Sequence, residues 1–99
     1  MSYTLHWTEE ATKTFNQNLE YLANDWGNQV VNDFLNRVDE VLELVSVNPS
    51  VFPLHRPSEK IHKFIVNKRI ILYFRIVNER QVDLLTFWNT YRDPDKLLS

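Results

Sequence analysis

The chain of 99 residues contains no cysteine and only one glycine, Gly27. Without cysteine it forms no disulfide, no thiolate metal site and no cysteine nucleophile, which fits a reducing compartment. A single glycine cannot build a glycine-rich phosphate loop or a dinucleotide fingerprint, so nucleotide-cofactor enzymes of those classes are excluded. Any phosphate handled here must be held by side chains, chiefly Arg and Lys. No apolar run approaches the roughly 20 residues that cross a bilayer. The opening Met1-Ser2-Tyr3-Thr4-Leu5 lacks the basic and apolar regions of a signal peptide, so a cytoplasmic protein is expected. Neither a cofactor nor a metal is expected.

What is present is an ordinary globular composition, 43% hydrophobic and 13% aromatic, of a size that supports one core in one domain over residues 1–99. The formal net charge of −2 hides a strong asymmetry. Residues 1–49 carry two basic side chains against eight acidic ones, or −6; residues 50–99 carry nine against five, or +4. Such polarity implies one face suited to an anionic partner and another left to solvent.

The hydrophobic pattern reads as β-α-α-β-β-β. Tyr3 to Trp7 alternates as a short strand. Thr8 is an N-cap followed by Glu9 and Glu10, whose charge suits a helix N-terminus. Ala11, Phe15, Leu19, Leu22 and Trp26 recur at helical spacing, and the helix stops in Asn24 to Asn28. A second helix carries the stripe Val31, Phe34, Leu35, Val38, Val41, Leu42 and Val45, and ends at Asn48-Pro49. Both stripes, Trp26 included, are expected to be core, and the short turn between them predicts a helical hairpin. Pro49 to Pro57, with three prolines, reads as an ordered loop. Glu59 to Val66, Arg69 to Val77 and Gln81 to Trp88 read as strands joined by turns at Asn67-Lys68 and Asn78-Glu79-Arg80. The fold class is α+β, with the N-terminal strand and helical hairpin on a small, mainly antiparallel twisted sheet.

Several segments carry a resemblance in their order and spacing: Tyr3-Thr4-Leu5, Ala11 opening a helix, Asn48-Pro49 closing the next, Ile61-His62-Lys63-Phe64, Ile71 to Ile76, and Phe87-Trp88-Asn89-Thr90-Tyr91-Arg92-Asp93-Pro94. Together, over nearly the whole chain, they resemble the RelE/ParE toxin superfamily. The resemblance implies a toxin of a type II toxin–antitoxin system, neutralised by a cognate antitoxin bound across sheet and helices in a hetero-oligomer. One branch of that family cleaves messenger RNA on the ribosome, and another poisons DNA gyrase. Many relatives carry Arg where this chain has His62, and its ribonucleases keep a denser catalytic set. The chain is therefore most similar to the ParE-like, plasmid-stabilisation subgroup, which implies growth inhibition by binding a protein target such as gyrase.

Cleavage of RNA through its 2′-hydroxyl needs a base, an acid and cations for the phosphorane charge. A metal-independent endoribonuclease would here use His62 as acid or base, Arg75 and Arg92 as phosphate clamps and Tyr91 as a base-stacking platform. Side-chain alternation places His62 with Phe64 on one face, Lys63 with Ile65 on the other, and Arg75 with Tyr73. His55 and His6 read as exposed or packing residues, and Trp88 and Phe87 as core-closing aromatics. An Arg92–Asp93 pair is as good a reading of the tail as a phosphate contact. Arg56, Lys60, Lys63, Lys68 and Arg69 are the expected contacts for the target or an acidic antitoxin. Three functions remain open: a binding toxin, a ribosome-dependent ribonuclease, and a decayed, non-toxic binding module.

Overall fold

The computed structural model describes residues 2–91. Its elements run β1 (Thr4–Trp7), α1 (Glu9–Asp25), α2 (Asn28–Val47), a 3-10 turn (Pro49–Val51), β2 (Leu54–Arg56), a second 3-10 turn (Pro57–Glu59), β3 (Ile61–Ile65), β4 (Ile70–Ile76) and β5 (Gln81–Asn89). One five-stranded sheet has the order β1-β5-β4-β3-β2, with β1 parallel to β5 and all other pairs antiparallel. The expected α+β architecture holds, with one correction. The proline segment is not a loop throughout, because Leu54–Arg56 pairs with β3 as a short, bulged edge strand. Its prolines flank that strand, so no proline interrupts the pairing.

Local chemistry sets the element ends. Thr8 Oγ1 accepts from Ala11 N at 3.1 Å and donates to Leu84 O at 2.7 Å, capping α1 and tying it to β5 in one residue. Gly27 starts α2 at φ 91°, a region that side chains avoid, although a methyl group there would meet nothing within 4 Å. Its requirement is therefore conformational and not steric. At both hairpins an asparagine does what glycine often does. Asn67 Oδ1 accepts from Arg69 N (2.8 Å) and Ile70 N (3.0 Å), and Asn78 Oδ1 from Arg80 N (2.8 Å).

The core lies between the helical hairpin and one face of the sheet. Ala11, Leu22, Phe34, Val38, Val41 and Val45 pack against Leu72, Phe74, Val82, Leu84 and Phe87, all buried. Phe15 sits within 5.7 Å of the rings of Trp7, Phe34 and Phe87. Trp26 departs from the expected stripe: it caps α1 and stays 47% exposed. It falls at the hairpin tip, where the helix has run past the edge of the sheet.

Polar residues dock α1 as firmly as apolar ones. β1 pairs only with Gln81 to Leu84, leaving the next stretch of that β5 edge without a strand partner. Thr14 and Asn18 fill it: Phe87 N donates to Thr14 Oγ1 (2.9 Å), and Asn18 Nδ2 donates to Phe87 O (2.9 Å). Both side chains are buried, so losing one partner strands a backbone group away from water. Thr14→Val, which keeps the shape and removes the hydroxyl, is expected to cost about 1–3 kcal/mol in urea unfolding. A loss below about 0.5 kcal/mol would mean that water replaces the hydroxyl.

Candidate functional site

The helices cover one face of the sheet; the other presents the functional side chains. Strand register places Lys63 beside Tyr73, aligns Ile61, Arg75 and Asp83 in one row, and aligns Ile65, Ile71 and Trp88 in another. None of these belongs to the helix-packed core. β2 brings His55 onto the same surface, its ring 4.7 Å from that of Tyr73 and tilted by 59°. Tyr73 is only 1% exposed, and burial raises its phenol above the ordinary value by penalising the charged form. His55 Nε2 and Trp88 Nε1 are buried with no hydrogen-bond partner among the described residues. Buried polar atoms seldom stay unpaired, so this pair marks a surface with unused bonding capacity.

The Arg75 row runs on through Asp83 to His6. Asp83 Oδ1 accepts from Gln81 Nε2 at 2.8 Å and lies 3.1 Å from His6 Nδ1. Arg75 therefore shares its row with an acid and is a less open phosphate clamp than Lys63.

The four residues expected to catalyse do not converge among the described residues. His62 faces the core, 5% exposed, donating from Nδ1 to Phe52 O at 2.7 Å and stacked on Phe74 at 5.5 Å and 11°. A carbonyl only accepts, so that bond fixes the proton on Nδ1. Arg75 lies on the opposite face of the sheet from His62. Tyr91 follows the far end of β5, five strand positions from Arg75 or on the order of 17 Å. Arg92 lies outside the described residues, as does its pairing with Asp93.

The expected binding cations are dispersed. Arg56 Nη1 lies 3.3 Å from Glu59 Oε2. Lys60 turns the corner into β3 with φ 58°. Lys63 is on the open face, and Lys68 and Arg69 form the β3–β4 turn. The Arg69 guanidinium lies 3.9 Å over the Trp26 ring and 5.3 Å from that of Tyr91. All eight acids of residues 1–49 are exposed on α1 and α2, so the charge asymmetry of the sequence becomes an acidic helical layer and a basic sheet.

Sequence reasoning missed His55, because its strand is hidden among prolines, and gave Tyr73 no role; Phe87 closes the core as expected, but Trp88, on the opposite face of β5, does not. For Tyr73 the signal was present in the alternation that set it beside Arg75. Among the described residues no three His, Asp or Glu side chains converge as a metal site requires, and no helix is long and apolar enough to cross a membrane. Chemically, the open face offers the Lys63 cation to an anion, with the Tyr73 phenol and His55 Nε2 buried beneath it.

The sequence matches no protein-family model and no curated protein. The fold has clear counterparts. A chain of the chromosomal ParDE TA (toxin–antitoxin) system from P. aeruginosa superposes with a TM-score of 0.69 at 14% identity, over 89% of this chain and 96% of that one. A chain of the E. coli DinJ-YafQ toxin-antitoxin complex gives 0.62 at 11% identity, over 92% and 96%. The YoeB dimer from Staphylococcus aureus gives 0.60 at 7% identity, over 89% and 97%. The chain thus shares the fold of these three structures, the α+β arrangement expected from the sequence.

Tyr73 gives this surface an alkaline signature. Burial raises its folded pKa above the ordinary value of 10.0. Below pH 10 it is neutral in both folded and unfolded chains; above it the unfolded tyrosine ionises first and favours unfolding. Stability measured by urea unfolding should therefore fall as pH rises through that window. Tyr73→Phe should flatten the fall, and equal slopes would exclude the burial effect.

Proposed function

We propose that this chain is the toxin of a type II toxin–antitoxin pair, silenced by an acidic antitoxin, and that it arrests growth by binding a protein target rather than by cutting RNA. The fold it shares with ParDE, YafQ and YoeB chains supports the toxin reading. The observation that favours binding over cleavage is the place of His62, the imidazole expected to move protons. It donates to Phe52 O and stacks on Phe74 inside the core, where no RNA phosphate reaches it. DNA gyrase is the target implied by the ParE-like resemblance, and cytoplasmic action follows from it. Expressed without its antitoxin, the chain should arrest growth, leave messenger RNA intact and inhibit gyrase supercoiling in vitro. Rescue should come from a small acidic protein encoded in the adjacent reading frame. Arrest with normal supercoiling would remove gyrase, and absence of arrest would favour a decayed binding module.

One observation favours a second reading, a ribosome-dependent endoribonuclease. His55 sets an unpaired Nε2 beside Tyr73, on the face that also carries Lys63 and Arg75. There His55 would take the 2′-hydroxyl proton once its buried Nε2 is turned toward the substrate, and Lys63 would hold the phosphate. Transcripts cut during arrest, with cutting lost in His55→Ala and kept in His6→Ala, would establish this reading. Intact transcripts would end it.

A further inference from the structure

Arg69 is held unlike any other cation described. Its backbone is pinned from both sides: its N–H donates to Asn67 Oδ1 at 2.8 Å, and its carbonyl accepts from Thr90 N at 2.7 Å and Thr90 Oγ1 at 3.1 Å. Its guanidinium lies against Trp26, 47% exposed, and beside Tyr91, 61% exposed. Among the described residues no carboxylate lies within ion-pairing distance of it, whereas Arg37 and Arg56 each have a glutamate. Its Nε is buried and unbonded. Beside it opens a cleft of about 340 Å³ between α2 and the β3–β4 turn, lined by Val30, the buried Phe34, Arg37, Lys68 and the exposed Asp33.

A stacked arginine keeps its charge and its outer N–H edge while losing its rotational freedom, so a planar acceptor meets a donor already ordered. Trp, Tyr and Arg are also the residues that dominate binding energy at protein interfaces. The chemistry of the occupant follows from the surroundings. A nucleic acid would have to lay several phosphates along this end of the molecule, where Glu20, Asp25 and Asp33 are exposed on the helices. A protein segment can bring one carboxylate only.

We infer that Trp26, Arg69 and Tyr91 form a docking site for a partner protein segment carrying a single carboxylate next to an apolar side chain. The carboxylate pairs with the outer edge of Arg69 between the two rings. The apolar side chain enters the cleft over Val30 and Phe34, with Lys68 adding attraction and Asp33 disfavouring a second carboxylate. The site is separate from the His55–Tyr73 surface. Only the identity of its physiological partner, the antitoxin, rests on the function proposed above.

The test uses the full chain and a short synthetic peptide with capped ends and one glutamate flanked by leucines, followed by the Trp26 indole N–H resonance and the Arg69 amide. At roughly millimolar peptide the indole signal and the Arg69 amide should shift together. Arg69→Lys, which keeps the charge but loses fork and stack, and Trp26→Leu, followed by the Arg69 amide, should each weaken binding at least tenfold while the thermal transition stays in place. An octauridylate titration should leave the indole signal unmoved. Unchanged affinity in Arg69→Lys, a silent indole signal with the peptide, or a shift caused by the octauridylate instead would each overturn the inference. Peptide binding without any antitoxin in the adjacent reading frame would overturn the toxin reading and leave the docking site standing.

Discussion

The two hydrogen bonds that Thr14 and Asn18 make to Phe87 hold the architecture in register. β5 is longer than β1, so half of one β5 edge has no strand beside it. A helix is a poor substitute for a strand, because its own backbone groups are used internally. Side chains from successive turns of α1 supply the missing partners instead. This sets the rotation of α1, which turns Ala11, Phe15 and Leu22 onto the sheet. The network then runs on: Asn89 Nδ2 donates to Asn18 Oδ1 at 3.0 Å, and Tyr91 N donates to Asn89 Oδ1 at 2.9 Å. The clasp that docks the helix thereby also fixes where Tyr91 leaves the sheet. A buried polar chain of this kind specifies one arrangement because every partial break leaves a group unsatisfied.

That constraint also explains how the charges are laid out. With α1 and α2 fixed on one face, their apolar stripes are consumed by the core and their acids are left on the outside. The basic strands present Lys63 and Arg75 on the opposite face. Opposite charges are therefore separated by the thickness of two layers, too far for exposed groups to neutralise one another across a Debye length of roughly 8–10 Å. The layers meet at the hairpin tip, where Trp26 from the helices rests on Arg69 from the sheet. Among the described residues the interaction there is aromatic rather than ionic, and no carboxylate neutralises the arginine.

Much of this was legible because periodicity reports burial. The stripe of α2, the Thr8 cap, the Asn48-Pro49 stop and the nearly continuous apolar run of β4 all follow from rules of local sequence. β2 was not legible, since three residues among prolines carry too little alternation and gain strand geometry only by pairing with β3. Trp26 fits the helical spacing yet misses the core, because spacing does not say where the sheet ends. Thr14 and Asn18 look like polar interruptions of a helix. Their role needs a partner some 70 residues away, which no local pattern encodes.

Candidate site residues were the least legible of all, and the reason is parity. Alternation correctly groups His62 with Phe64 and Arg75 with Tyr73, but it cannot say which group meets the helices. The answer depends on the apolar weight of each set across neighbouring strands. Phe64, Leu72, Phe74, Leu84 and Phe87 outweigh Ile61, Ile65, Ile71 and Trp88, so the first set turns inward and takes His62 with it. Its imidazole is tolerated there because Phe52 O accepts its proton and Phe74 covers its ring. Once His62 is inside, the histidines left off the core are His55, beside Tyr73, and the exposed His6, beside Asp83. Parity thus separates two places of different character among the described residues: a sheet face that carries Lys63 and Arg75, and Arg69 stacked on Trp26 at the hairpin tip.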